Sequence, residues 1–200
     1  DIAYMRCIPN MIVSAPMNEA ELRNLMYTAQ LDSNELPFVI RYPRGEGVMP
    51  EWKTEMQEIK IGTGRKLKDG QDIAILSFGH VGNFAASAIR DVKAEGINPA
   101  HYDMRFVKPL DEEMLHEVFS KYNKVITIED GTVVGGFGSA ILEFMNEHGY
   151  KADVKIMGIP DRLVEHGTPK QLYDEIGIDA NGIADMLRVL SKINVAELIK

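Results

Sequence analysis

Two arginines in Arg41-Tyr42-Pro43-Arg44-Gly45 are the residues best suited to hold an anion. They follow the apolar run Phe38-Val39-Ile40, and Pro43 limits the backbone freedom of the turn. A guanidinium is a planar fork that can engage two phosphate oxygens, so Arg44 is a candidate ligand for a phosphorylated substrate. An ion pair with the chain's surplus carboxylates is the competing reading, and the bare sequence leaves both open.

Four other places could do chemistry, and each has a plainer explanation. Gly131-Thr132-Val133-Val134-Gly135-Gly136-Phe137-Gly138 lies between an expected strand and an expected helix, where a dinucleotide fingerprint would lie. Ile141 occupies the place of the third small residue, and no acidic residue closes a strand about 20 residues later, so a tight turn is the better account. Ser77-Phe78-Gly79-His80-Val81-Gly82 is a similar turn, and two helix N-termini there could make an anion site. His80 reads as a loop residue, because no sequence neighbour orients it as a base. Glu129-Asp130 ends an expected strand, where α/β sheets collect catalytic groups. Adjacent strand residues face opposite ways, so they are not an acid/base pair, and charge preference at a helix N-terminus explains Asp130 equally well. His166 precedes Thr168-Pro169-Lys170-Gln171, a helix start that accounts for its neighbourhood without chemistry.

The elements that must position these groups fall into two parts. Residues 11–14 and 38–40 read as buried strands joined by a helix, with Asn18 as its cap and Glu21 completing a capping box. Leu22, Leu25, Met26 and Ala29 mark that helix's apolar face. One β-α-β unit implies parallel strands and a right-handed crossover, and it is too small to stand alone. Residues 1–45 therefore read as the incomplete end of a larger domain, and the opening Asp1-Ile2-Ala3-Tyr4 reads as entered in mid-domain. Residues 46–61 carry Gly, Pro and charge without period and are expected to be a linker. Across residues 62–200, strands near 73–76, 101–104, 125–128 and 154–157 alternate with helices. Asn83, Asp111 and Thr168 are the expected caps, and Ile183, Met186, Leu187, Leu190 and Ile193 form the stripe of the last helix. The expectation is an open, mostly parallel α/β sheet with helices on both faces.

The bulk numbers exclude several classes. A formal net charge of -8 argues against a broad nucleic-acid or acidic-membrane surface. There is no membrane-length apolar run, and Cys7 is the lone cysteine, a usage that fits a reducing cytoplasm. The five histidines are scattered, without metal-ligand spacing.

Several stretches in order carry a resemblance: residues 1–9, the Arg41–Gly45 turn, Asp103-Met104-Arg105-Phe106-Val107-Lys108-Pro109-Leu110-Asp111, Glu129–Gly138, and Gly158-Ile159-Pro160-Asp161. Together, over nearly the whole chain, they resemble the 1-deoxy-D-xylulose-5-phosphate synthases, transferases of the transketolase-like thiamine-diphosphate group. The resemblance implies a homodimeric enzyme that condenses pyruvate with glyceraldehyde 3-phosphate and releases carbon dioxide. It implies thiamine diphosphate and magnesium as cofactors and a product used for isoprenoid, thiamine and pyridoxal synthesis. It places this chain at the end of the pyrimidine-binding domain (1–45), the linker (46–61) and the whole transketolase C-terminal-like domain (62–200). It assigns the acceptor phosphate to Arg44. It also implies that the catalytic residues and the diphosphate–magnesium motif belong to a missing N-terminal portion, so this piece alone should be inactive and bind neither cofactor. Two other readings stay open: the β-subunit of a 2-oxoacid dehydrogenase decarboxylase, and a non-catalytic dimerisation module. The Asp103–Asp111 stretch favours the synthase.

Overall fold

The computed structural model describes residues 1–192, so the expected place of Ile193 on the last helix lies outside the described residues. The chain begins with a short helix α1 (Ile2–Arg6) capped by the Asp1 carboxylate, an element the sequence pattern did not suggest. β1 (Ile12–Ser14), α2 (Glu19–Ala29) and β2 (Phe38–Ile40) then form the expected β-α-β unit, with the two strands parallel. Next come β3 (Arg65–Lys68), β4 (Ile73–Phe78), α3 (Gly82–Asp91), a 3-10 turn (Lys93–Glu95), β5 (Ala100–Asp103) and β6 (Phe106–Lys108). The chain continues through α4 (Glu112–Lys121), β7 (Lys124–Thr132), α5 (Phe137–Glu147), β8 (Asp153–Ile159), α6 (Pro169–Ile176) and α7 (Ala180–Lys192).

Two sheets result. The larger has the order β3-β5-β4-β7-β8 and is parallel except for the edge strand β3. Strand alternation sends Ala74, Leu76 and Phe78 toward α4 and α5, and Ile73 and Ile75 toward α3 and α7. Both faces are therefore covered, as a parallel sheet requires. The smaller sheet has the order β2-β1-β6. Its third strand comes from the far side of the expected linker: β6 pairs antiparallel with β1, so the Asp103–Asp111 stretch ties the two parts together.

Charged groups reinforce this junction. Glu21 is 5% exposed and accepts from Arg65 (3.0 Å) and from both Nε (2.6 Å) and Nη2 (3.0 Å) of Arg105. Asp103, fully buried, accepts from Arg65 at 3.0 Å. Burial pushes the Asp103 carboxyl up to about 6 despite the arginine beside it. Arg105 adopts a left-handed backbone, φ 53°, a strained conformation for a side-chain-bearing residue, and the fork on Glu21 holds it there. Lys108 Nζ donates to the carbonyls of Arg6 (2.9 Å) and Ile8 (2.6 Å), while Arg6 donates to those of Gly135 (2.7 Å) and Gly136 (3.0 Å).

Three local expectations need correction. Asn18 does cap α2, but Glu21 reaches the two arginines instead of closing a capping box. The buried stripe of α2 is Glu21, Leu25 and Thr28, and Met26 is exposed, because the helix packs against residues 57–59 and β6. Asn83 does not cap α3. It lies inside the helix, and its amide donates to the carbonyls of Met17 (2.7 Å) and His80 (2.9 Å). Residues 46–61 contain no helix or strand, yet they are strapped along α2: Val48 N donates to Glu19 (2.7 Å) and Ile59 N to Thr28 Oγ1 (2.8 Å).

Candidate functional site

The turn after β2 leaves the C-terminal end of a parallel strand, a usual position for ligand-binding groups. Its first residue is held at both ends. Arg41 N donates to Ser14 O at 2.8 Å, and the Arg41 guanidinium pairs with Asp130 at 2.6 Å and lies 3.7 Å from Asp1. For Arg41 the ion-pair reading holds. Arg44 is different: it is exposed and, among the described residues, has no carboxylate partner. It borders a cavity of about 420 Å³ together with Pro43, Asn83, His80, Phe84 and Tyr173.

The opposite wall is a hydrogen-bonded chain that no sequence neighbourhood reveals. Tyr173 donates its hydroxyl to Asp130 Oδ2 at 3.0 Å, and His80 Nε2 lies 3.1 Å from the same hydroxyl oxygen. The phenol has one proton, so with that proton on Asp130 the imidazole must donate through Nε2. Burial lowers the His80 pKa to about 4, with Arg41 adding to the effect and Asp130 opposing it, so the ring is neutral at pH 7. Tyr173 is pushed up to about 12, first by burial and then by the Asp130 charge. His80 is a turn residue, as expected, but it is oriented by Tyr173, whose hydroxyl is held in turn by Asp130. Neither partner is near it in the chain, and only the meeting of β7, α6 and the β4–α3 turn brings them together.

Asp130 is also not the group at the helix N-terminus. That place belongs to Glu129, whose carboxylate accepts from the amides of Phe137 (2.8 Å) and Gly138 (2.9 Å) at the start of α5. Burial raises the Glu129 pKa, and those two amides work against the rise. The glycine-rich turn is therefore filled by the protein's own anion and offers those amides to no external phosphate. The small residues are needed for this fit: a Cβ on Gly138 would lie 2.5 Å from Ile156 and 2.7 Å from Thr127. His166 is exposed, and Thr168 with Gln171 closes the capping box expected beside it.

A larger concavity than the Arg44 cavity, about 610 Å³, lies elsewhere, along α2 between Leu22, Met26, Trp52 and Met56. It is lined mainly by apolar side chains, whereas the polar groups converge near Arg44, so the chemistry is placed at the smaller one. Among the described residues no three His, Cys, Asp or Glu side chains are arranged to hold a metal ion. The described residues do not fit a magnesium–diphosphate site. No described helix is long and apolar enough to cross a membrane.

Comparison with known proteins agrees with this geometry. Residues 62–183 match the family model "Transketolase, C-terminal domain", and residues 1–48 match "Transketolase, pyrimidine binding domain". The chain is 61% identical over 193 residues to the 1-deoxy-D-xylulose-5-phosphate synthase of Cytophaga hutchinsonii, covering 96% of this chain and 30% of that protein. It is 41% identical over 191 residues to the corresponding synthase of Geobacillus thermodenitrificans, covering 95% and 30%. This chain thus spans about 30% of the length of these curated relatives. Among solved structures, a split-gene transketolase described as an inactive beta4 tetramer superposes with a TM-score of 0.78 at 30% identity, covering 94% of this chain and 60% of that one. With the fold, the junction and both matched regions in agreement, the chain belongs to the transketolase family.

Proposed function

We propose that this chain is the C-terminal part of a 1-deoxy-D-xylulose-5-phosphate synthase. The intact enzyme transfers the two-carbon unit left by decarboxylation of pyruvate to glyceraldehyde 3-phosphate, giving the five-carbon phosphate and carbon dioxide. In this reading residues 1–45 close the pyrimidine-binding domain, 46–61 link, and 62–200 form the C-terminal domain. Thiamine diphosphate and Mg2+ are held by segments outside this chain. The enzyme is cytoplasmic and homodimeric, and the oligomeric state of the split-gene structural relative supports self-association. Calorimetric titration of the 200-residue chain with thiamine diphosphate and Mg2+ is expected to show no binding, and micromolar affinity would place the cofactor site here after all.

The observation that carries the site assignment is the contrast between the two arginines. Arg41 is neutralised by Asp130, whereas Arg44 has no carboxylate partner among the described residues and borders an open cavity whose lining includes Glu19, already taken by the amides of Val48 and Met49, and Glu46. Arg44 is the group left to hold the acceptor's phosphate. Losing a charge-assisted hydrogen bond costs about 1.5–3 kcal/mol, roughly ten- to a hundredfold in affinity. Arg44→Ala in the full-length enzyme should raise KM for glyceraldehyde 3-phosphate by that factor and leave KM for pyruvate nearly unchanged. Unphosphorylated glyceraldehyde should lose much less. Equal losses for both aldehydes would make Arg44 a structural arginine.

A further inference from the structure

Asp130 lies behind the Arg44 cavity and bonds both to Arg41, at the start of the turn that carries Arg44, and to Tyr173, which borders the cavity. It lies on β7 immediately after Glu129, and alternation along the strand sends the two side chains to different tasks. Glu129 goes to the start of α5, while Asp130 goes to the turn that follows β2. Its Oδ2 accepts from Arg41 at 2.6 Å and from Tyr173 at 3.0 Å. Its side chain is 11% exposed and that of Arg41 is 19% exposed, so water screens the pair little.

The consequences for Arg44 follow from chain geometry. Arg41 is pinned through its backbone to Ser14 and through its guanidinium to Asp130. Pro43 then fixes one of the few torsions left before Arg44. The position of the Arg44 backbone is therefore set largely from Arg41. On the other side, Asp130 holds the Tyr173 hydroxyl, which is in turn bonded to His80, and both rings border the cavity that Arg44 borders. Without the Asp130 charge, Arg41 would keep only the exposed Asp1 carboxylate at 3.7 Å and would be a second weakly paired guanidinium close to Arg44 in the chain, and Tyr173 would lose its charged acceptor.

Resting on the synthase reading above, we infer that Asp130 is a positioning residue for the acceptor-phosphate site: by neutralising Arg41 and anchoring Tyr173, it leaves Arg44 as the turn's unpaired arginine, in one place, to meet the phosphate. The C-terminal domain thereby takes part in the choice of a phosphorylated acceptor without touching the reacting atoms.

The test uses the full-length enzyme with glyceraldehyde 3-phosphate and unphosphorylated glyceraldehyde as alternative acceptors. Asp130→Asn keeps the size and removes the charge. It should raise KM for glyceraldehyde 3-phosphate about tenfold, the loss of roughly one charge-assisted contact, with kcat and the KM for pyruvate nearly unchanged. The unphosphorylated acceptor should be affected far less, and Asp130→Glu should restore most of the difference. Tyr173→Phe, which leaves the ion pair intact, should move the same constant in the same direction by about threefold. If Asp130→Asn does not fold, Tyr173→Phe decides alone: a selective rise supports the inference, and no selective rise overturns it. Equal losses on both acceptors in Asp130→Asn, or no change in either, also overturn it. A full-length protein without synthase activity, or an unselective Arg44→Ala, would instead sink the underlying functional reading.

Discussion

Replacing Glu21 should weaken the junction between the two sheets more than any surface change. The carboxylate is 5% exposed and receives three hydrogen bonds from two arginines, at 3.0, 2.6 and 3.0 Å. Removing one partner of a fully buried ion pair costs about 3–5 kcal/mol, because the other charge is left desolvated. Here the arginine side chains remain 30% and 16% exposed, and Asp103 still answers Arg65, so water and the second carboxylate recover part of that cost. We expect about 2 kcal/mol for Glu21→Gln and about 3 kcal/mol for Glu21→Ala after this discount. Urea unfolding of the 200-residue chain, followed by circular dichroism at pH 7, measures it. A second readout is the titration of Asp103. Burial holds that carboxyl at about 6, and the Glu21 charge pushes in the same direction, so Glu21→Gln should lower it. An acid raised in the folded state holds extra protons between its unfolded value near 3.8 and about 6, so its contribution to stability declines as pH rises through that window. The variant should show a shallower decline. A loss below about 0.5 kcal/mol with an unmoved Asp103 titration would refute the idea that this cluster holds the junction.

Two further outcomes are expected. His101 is 2% exposed, bonded to Ser77 at 2.9 Å, and burial lowers its pKa to about 4. The unfolded chain takes up that proton from about 6.5 downward, so wild type should lose up to about 3 kcal/mol between pH 6.5 and 4 through this group. His80 adds a similar slope and Asp103 an opposing one, and the difference between wild type and His101→Gln isolates His101; parallel pH profiles would contradict this. Gly138→Ala should cost about 1–3 kcal/mol by overpacking against Ile156 and Thr127, seen as a lower thermal midpoint, and an unchanged midpoint would show that α5 can shift to admit a methyl group.

The sequence by itself determined the features that depend on near neighbours. Asn18, Asp111 and Thr168 cap the helices expected of them, because a cap bonds an amide a few residues on. The apolar runs became β1, β2, β4, β7 and β8, and the parallel pairing of β1 with β2 followed from the crossover helix between them. Arg44 stood out because its type and its stiffened turn are local properties. Tertiary structure decided everything that depends on distant partners. Glu21 looked like half of a capping box and instead binds arginines 44 and 84 positions away. β6 was not separable by pattern from β5, and its pairing with β1 comes from the chain's return across the junction. Asp130 had a plain local explanation that failed, and His80, in a turn as expected, gained partners that no chain neighbour supplies, when Arg41, 89 positions from Asp130, and Tyr173, 43 positions from it, arrived at the same point. A buried charge must find a counter-charge wherever the fold supplies one, and sequence spacing does not record which segments will meet there.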